Sequence, residues 1–534
     1  MEEEREEVPR SAFRVPLSGG ARTRPRWHIP VLLATAVAVR FAGLGSRSLW
    51  LDEAYSLDRC VPGGSLADVV RTVARHDAHP PFYYLCLHLW TGSFGESPAA
   101  MRSLSAVVSV LAVLVLYRLC LAFLGPRASF ATGLLFALSA FQVEFAQEAR
   151  HYATVELLLL AALLPYMRLL TPPPPAPPPA PARASRGEIA LLAASHGLLV
   201  ALALYTFYYS VLLAVPLGLV ALVRCFRRPR RNALAIVAAL GAAAFAFLPW
   251  LPRLLERARE LRAAGPQEGS GFPFPGWTLP KTLESFAVGT DLPLPPAAGL
   301  ALALLLGAAL ATGLLFAGRS ASPSIRLPLA AGLLGPPVLV AVLPFRAHLF
   351  EAKHLVFVAP LVFLAFGALL DRLDRLRDRG GRAGAAGIVG FALFAGVLAI
   401  ANFASHRIDQ GREKEDWRSA ARHLEENLAA GDEIACDPGR LRVPLVYALR
   451  EGRLDDVSPL AAEKDAEGWK NRLLAADRVW LVEVSGNYLA RPTGAGREIL
   501  WELGFRHTGQ GEWWPGSIGD VRVTLYRREG RRPP

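Results

Sequence analysis

Leu49-Trp50-Leu51-Asp52-Glu53-Ala54-Tyr55-Ser56-Leu57 places two adjacent carboxylates a few residues beyond the first long apolar run of the chain, Ile29 to Leu44. Charge is expensive in hydrocarbon, so Asp52 and Glu53 are expected at the membrane surface, with Trp50 and Tyr55 as interfacial anchors. Two readings of the pair stand side by side: Asp52 caps a short surface helix, or the carboxylates carry chemistry. What the rest of the chain brings to the same side decides between them.

The sequence has 534 residues, 52% of them apolar, and its long apolar runs recur, which fits one polytopic membrane protein better than several soluble domains. The net charge of +12 does not point to nucleic acid: much of the Arg lies in short loops between apolar runs, with no stripe of stacking aromatics beside it. Five Cys without a C-x-x-C pair argue against a zinc or redox site, and nothing in the sequence brings Cys60 and Cys436 together. Residues 1–26 form a polar tail, and the run after it has no small-residue cleavage site, so it reads as a signal anchor.

Eleven windows have the character of crossings: Ile29 to Leu44, Ala99 to Leu124, Phe130 to Phe145, Tyr152 to Leu170, Ile189 to Tyr205, Tyr208 to Val223, Ala233 to Leu251, Ala297 to Phe316, Leu327 to Leu343, Leu355 to Leu370 and Gly384 to Ala401. The aromatic stretch Pro80 to Phe94 is ambiguous. If it stays in the interface, the basic loops at Arg118 and Arg127, Arg183 and Arg186, Arg227 to Arg231, Arg319 and Arg326, and Arg372 to Arg382 all fall on the side of the N-terminus. The positive-inside rule therefore predicts a cytoplasmic N-terminus, an external C-terminus and an interfacial helix at Pro80 to Phe94.

That topology has a consequence for the site. The loop with Asp52 and Glu53, the segment Gln147-Glu148-Ala149-Arg150-His151-Tyr152 and the segment Arg346 to His354 all emerge on the external side. The expected organisation is a cytoplasmic tail (1–26) and a transmembrane domain (27–404). Within the latter lie a first external loop with interfacial helices (45–98), a Pro-rich cytoplasmic linker (171–186) and a long external loop (252–296) suited to a lid or partner surface. A soluble α/β domain follows (405–534). There Trp417, Ala421, Leu424 and Leu428 mark a helix ending near Gly431, and strands are expected at Glu433 to Cys436, Arg478 to Val484 and Val521 to Tyr526. No phosphate-binding glycine loop occurs in it.

Chemically, the external face offers carboxylates and cations together. Asp52 or Glu53 is placed to take a proton from an acceptor hydroxyl, while Arg150, Lys353 and Arg346 are placed to hold an anionic phosphate. A sugar on a lipid phosphate already carries a good leaving group, so one base and a cationic clamp suffice for inverting displacement at the anomeric carbon. Competing readings remain open at each position. His79 either caps the interfacial helix or serves the site; Arg150 either serves it or pairs with Glu148 or Glu144; His151 and Tyr152 either belong to the interfacial belt or touch substrate. No metal site is expected, because His348 and His354 lack a recognised ligand spacing.

The ordered set Leu49-Trp50-Leu51-Asp52-Glu53-Ala54-Tyr55-Ser56, His79-Pro80-Pro81-Phe82-Tyr83-Tyr84, Phe94-Gly95-Glu96-Ser97 with Arg102, and Gln147 to Ala153 resembles the GT-C glycosyltransferases. Within these it is similar to the protein O-mannosyltransferase and aminoarabinose-transferase group, including rhizobial lipopolysaccharide galacturonosyltransferase-like proteins. The resemblance covers roughly Ile29 to Asn402 and is strongest before Leu170. It implies a multi-pass enzyme of the bacterial inner membrane with a polyprenyl-phosphate-linked sugar as donor, no further cofactor, and an envelope glycolipid, glycan or protein as acceptor. It also implies Asp52 as the catalytic carboxylate with Glu53 as neighbour, and phosphate contact at Lys353; with the residues read above, the substrate-binding candidates are His79, Arg150, Tyr152, Arg346, Lys353 and His354. Lys353-His354 stands where the family has an Arg-Tyr pair, which keeps a cation but loses the guanidinium fork. A lipid-linked glycan transporter and a membrane assembly protein are the alternative functions.

Overall fold

The computed structural model describes residues 25–170, 185–226, 230–263, 275–290, 294–320, 326–342, 351–379, 382–410, 413–452, 460–461, 466–485 and 494–529. Most of the N-terminal tail and of the Pro-rich linker, and Arg346 with His348, lie outside these described residues.

A helix rises about 1.5 Å per residue, so roughly 20 residues cross the hydrocarbon core. Among the described residues eight helices are long and apolar enough: Pro98–Leu121, Tyr152–Leu170, Arg186–Leu204, Tyr208–Cys225, Arg231–Glu260, Pro296–Leu315, Ala352–Asp378 and Gly384–Ser405. A ninth is broken. Pro126–Leu138 and Ala140–Ala146 meet at 57° because Ser139 leaves helical geometry (φ −60°, ψ 123°) and its side chain accepts from the Gln142 amide to cap the second piece. His28–Phe41 and Arg326–Val340 are shorter apolar helices. These segments coincide with the eleven windows read from the sequence, and the protein is a multi-pass membrane protein.

Helix Pro98–Leu121 packs against His28–Phe41 and Tyr152–Leu170, and Leu116, Tyr117, Phe136, Phe141, Val155 and Tyr166 fill the centre of the bundle. Gly197 lets two crossing helices close: a Cβ there would lie 2.8 Å from the carbonyl oxygen of Ala239. Large apolar side chains such as Phe245 and Leu315 stay exposed on the outer helices, as expected for surfaces that meet lipid.

Between His28–Phe41 and Pro98–Leu121 lie three short helices, Leu51–Cys60, Leu66–His76 and Phe82–Phe94. Ser65 and Asp68 form a reciprocal capping box on the second, whose Val69 and Val73 are buried while the opposite face is exposed. Phe82–Phe94 has 13 residues, about 20 Å at the helical rise, too short for the hydrocarbon core. Trp50 and Tyr55 do not act as interfacial anchors. Trp50 is 6% exposed beneath Lys414, and the Tyr55 hydroxyl donates to the Arg440 carbonyl at 3.3 Å, so both face the C-terminal domain. Where it is described, the stretch 252–296 is largely helical: Leu251–Ala263 runs into it, Pro275–Val288 lies within it, and Phe286 of the latter packs edge-on against Phe141 at 4.9 Å.

The C-terminal domain is a five-stranded sheet of order β2-β1-β3-β5-β4, with β1 Glu433–Asp437, β2 Leu460–Ala461, β3 Arg478–Ser485, β4 Phe505–Trp514 and β5 Asp520–Arg528. β2, β1 and β3 run parallel; β5 and β4 add antiparallel. Asp416 caps helix Trp417–Asn427 through the Ser419 amide, and that helix buries Trp417, Ala421 and Leu424 as its sequence stripe requires. β4 went unread because it is an edge strand, largely exposed, with glycines at 509 and 511 around a break in register. Leu51 of helix Leu51–Cys60 is buried inside this domain's core beside Trp417, Leu445 and Val482.

Candidate active site

Helix Leu51–Cys60 carries Asp52 and Glu53 in its first turn, where the helix dipole favours carboxylates. Successive helical residues point about 100° apart, so the two carboxylates enter different surroundings. Glu53 is 1% exposed; its Oε1 accepts from Arg102 Nε at 2.8 Å and from the Ala149 amide at 2.9 Å, and its Oε2 from Arg102 Nη2 at 2.6 Å. Burial alone pushes this carboxyl up. The Arg102 charge and hydrogen bonds, the Ala149 amide and Lys414 outweigh burial and hold it below the usual carboxylate range. Asp52 is the accessible member, its side chain 19% exposed and its Oδ2 3.5 Å from Arg150 Nη2.

Arg150 belongs to the turn between Ala140–Ala146 and Tyr152–Leu170, and the first four residues of that turn each have a separate partner. Gln147 Nε2 donates to the carbonyls of Val39, Arg40 and Ala42 at 3.3, 3.1 and 2.8 Å, satisfying orphan acceptors at the end of helix His28–Phe41. Glu148 pairs with Lys414 and the Ala149 amide with Glu53. Arg150 Nη1 also donates to the Asp52 carbonyl at 3.2 Å. Among the described residues the carboxylate found against Arg150 is Asp52 rather than Glu148 or Glu144: Lys414 pairs with Glu148, and Thr290 donates to Glu144 at 2.7 Å.

His79 is held by Asp77, whose Oδ1 accepts from the His79 amide at 2.7 Å and lies 3.0 Å from Nδ1. Tyr84 donates to Asp77 Oδ2 at 3.1 Å. Burial pushes the Asp77 carboxyl up, but the His79 hydrogen bonds and the charges of His79 and Arg150 prevail and keep it well below its usual range. From His79 a run of rings crosses the site: His79 to His151 at 4.5 Å, His151 to Phe207 at 4.4 Å, Phe207 to Tyr209 at 5.1 Å, and Tyr209 stacked on His354 at 4.9 Å. Burial, with the fields of His79, Arg150, His354 and Lys353, drives the His151 imidazole far below its ordinary value, so it is neutral. The His354 ring is oriented by the Glu351 amide, which donates to Nδ1 at 3.0 Å, and Lys353 Nζ lies 2.8 Å from Glu351 Oε2. Lys353, Arg150, Glu148 and Asp52 are the charges whose fields reach the Tyr152 hydroxyl.

This architecture has solved counterparts. The chain superposes on ArnT from Cupriavidus metallidurans in the apo state with a TM-score of 0.52 at 14% identity, over 93% of this chain and 97% of that one. On the same protein bound to undecaprenyl phosphate the TM-score is 0.53 at 15% identity, with the same coverage. AglB from Archaeoglobus fulgidus, in complex with an inhibitory peptide and a dolichol-phosphate, superposes with a TM-score of 0.52 at 12% identity, over 85% of this chain and 69% of that one. The chain has the GT-C fold. No family model and no curated protein matches the sequence.

In this chain Asp52, His79, Arg150, Tyr152, Lys353 and His354 gather around one site, Glu53 lies directly behind it, and Arg346 falls outside the described residues. Sequence reading missed Asp77, although a carboxylate two positions before a histidine in a polar turn was a legible sign of a second-residue anchor. It also missed Phe207 and Tyr209, which lie at the start of the apolar window Tyr208 to Val223, and Glu413, Lys414 and Glu415, which reach the site from more than 360 positions away in some contacts, such as Ser48 to Glu413. No local pattern announces partners so distant.

Proposed function

We propose that the chain is a glycosyltransferase of the bacterial inner membrane that moves a sugar from a polyprenyl-phosphate donor to an envelope glycolipid, glycan or protein on the external face. The observation that carries this reading is the 3.5 Å approach of the half-buried Asp52 carboxylate to the buried Arg150 guanidinium, with His79, Tyr152, Lys353 and His354 around them. ArnT, solved with undecaprenyl phosphate, supplies the precedent for the donor class.

The acceptor hydroxyl attacks the anomeric carbon from the face opposite the phosphate, the C–O bond to phosphate breaks, and polyprenyl phosphate leaves with both electrons. Asp52 takes the hydroxyl proton as the new bond forms, so configuration inverts. Arg150 and Lys353 meet the charge that grows on the phosphate, Arg150 with a planar fork and Lys353 as a point charge. Glu53, used by Arg102 and the Ala149 amide, positions the helix and takes no proton. A neutral His151 leaves the cationic field on the phosphate side to Arg150 and Lys353.

Deleting the gene and comparing envelope glycan and polyprenyl-phosphate sugar masses tests the reading. The expected result is one glycan short of a sugar and one lipid-phosphate sugar accumulated. Unchanged masses in both pools reject it.

A further inference from the structure

Helix Leu51–Cys60 begins without a capping side chain from its own N-cap residue Trp50, so its first amides need acceptors from elsewhere. Glu415 supplies one: its Oε2 accepts from the Leu51 amide at 2.9 Å and is itself fixed by Trp417 Nε1 at 2.9 Å. Glu413 Oε2 accepts from the Ser48 amide at 3.0 Å, and the Ser48 hydroxyl donates to the Glu415 carbonyl at 2.7 Å. Between them Lys414 reaches the other side of the site, pairing with Glu148 while lying 5.0 Å over the Trp50 ring. The backbone of this triplet is pinned in turn, with Ser517 donating to the Glu413 carbonyl at 2.8 Å and Ile518 to the Lys414 carbonyl at 3.1 Å.

The contact points decide what the triplet does. Leu51 immediately precedes Asp52, and Glu148 is two residues before Arg150. One short segment of the C-terminal domain thus grips both strands of chain whose separation defines the site, while Leu51 is seated in that domain's core. Lys414 and Glu415 are buried, at 8% and 0% exposure, and buried ions are a costly way to make a mere anchor.

We propose that Glu413-Lys414-Glu415 is a positioning clamp through which the C-terminal domain sets the spacing between Asp52 and Arg150. The clamp rests on the reading of those two residues given above. Lys414 and Glu415 touch no reacting atom; they act through Leu51 and Glu148.

The test uses the full-length protein with the polyprenyl-phosphate sugar fraction from its own membranes, and follows amide hydrogen exchange across residues 49–60 alongside transfer kinetics. Glu415→Ala is expected to lower kcat about 10- to 100-fold, the scale of an ångström-sized misplacement, with KM for the lipid donor within about threefold, and to speed exchange at residues 51–53. Glu415→Gln keeps an acceptor for the Leu51 amide and restores both readouts to within about threefold. Tyr447→Phe, which removes a domain contact to the Glu96 carbonyl away from the clamp, leaves kcat and exchange as in the wild type. Unaltered exchange in Glu415→Ala, or faster exchange with wild-type kcat, overturns the clamp. Wild-type protein that transfers no sugar rejects the functional reading instead, and the exchange measurement then still decides whether the clamp holds the helix.

Discussion

Glu53 and Arg102 close a two-pronged ion pair, at 2.8 and 2.6 Å, between the helix that carries the accessible acid and the membrane helix Pro98–Leu121, with both side chains almost fully buried. Arg102 also donates to the carbonyls of Leu44, Arg47 and Ser48, so one guanidinium organises the whole approach to the site. Removing one partner leaves the other charge buried and alone, which costs about 3–5 kcal/mol. Glu53→Ala and Arg102→Ala are each expected to lower the thermal midpoint clearly in detergent, whereas Asp52→Asn leaves it near the wild-type value. A wild-type midpoint in Glu53→Ala refutes the structural role.

Arg150→Lys keeps the charge but loses the fork that reaches both the Asp52 carboxylate and its carbonyl. Transfer is expected to fall about 100-fold, the scale seen when one charge-stabilising donor is removed from an active site. Steady-state kinetics on the purified variant check this, and wild-type kcat in Arg150→Lys contradicts the clamp on phosphate.

The pH dependence of stability follows from groups outside the spans. Glu53 and Asp77 have folded-state values below their unfolded ones, so their contribution is full above the ordinary carboxylate range, about 4, and is lost as pH falls through the folded values. His151 is held neutral, so the unfolded chain binds a proton that the folded chain refuses once pH drops below about 6.5. Both effects have the same sign. The thermal midpoint is expected to fall in two stages on acidification, first below about 6.5 and again below about 4, and His151→Gln weakens the first stage without changing the second.

Topology is open to a direct check. Single cysteines at Ser185 and Ser419, in a chain whose native cysteines are replaced, are expected to react with an impermeant thiol reagent from opposite sides, Ser185 from the cytoplasm and Ser419 from outside. Labelling of both from one side contradicts the orientation inferred from the basic loops.

Much of this arrangement was legible before any coordinates. The apolar windows located the eleven helices because hydrocarbon imposes length and composition, and burial of Trp417, Ala421 and Leu424 followed their helical spacing. The pair Asp52-Glu53 was legible as a pair, but its division of labour was not: a carboxylate's role depends on which partner meets it, and Arg102, Arg150 and Ala149 arrive from distant stretches. Trp50 was misread for the same reason, since an aromatic at a membrane surface and an aromatic beneath a lysine of another domain look alike in sequence. Strand β4 was hidden by its exposure, because an edge strand needs little apolar alternation.

The central claim is that Asp52 accepts the acceptor's proton. In cells lacking the chromosomal gene, Asp52→Asn protein is expected to insert and accumulate normally yet lower transfer by about 10²- to 10⁴-fold, leaving the lipid-phosphate sugar accumulated and the envelope glycan short of its sugar. Full restoration of the glycan mass by Asp52→Asn would contradict the account.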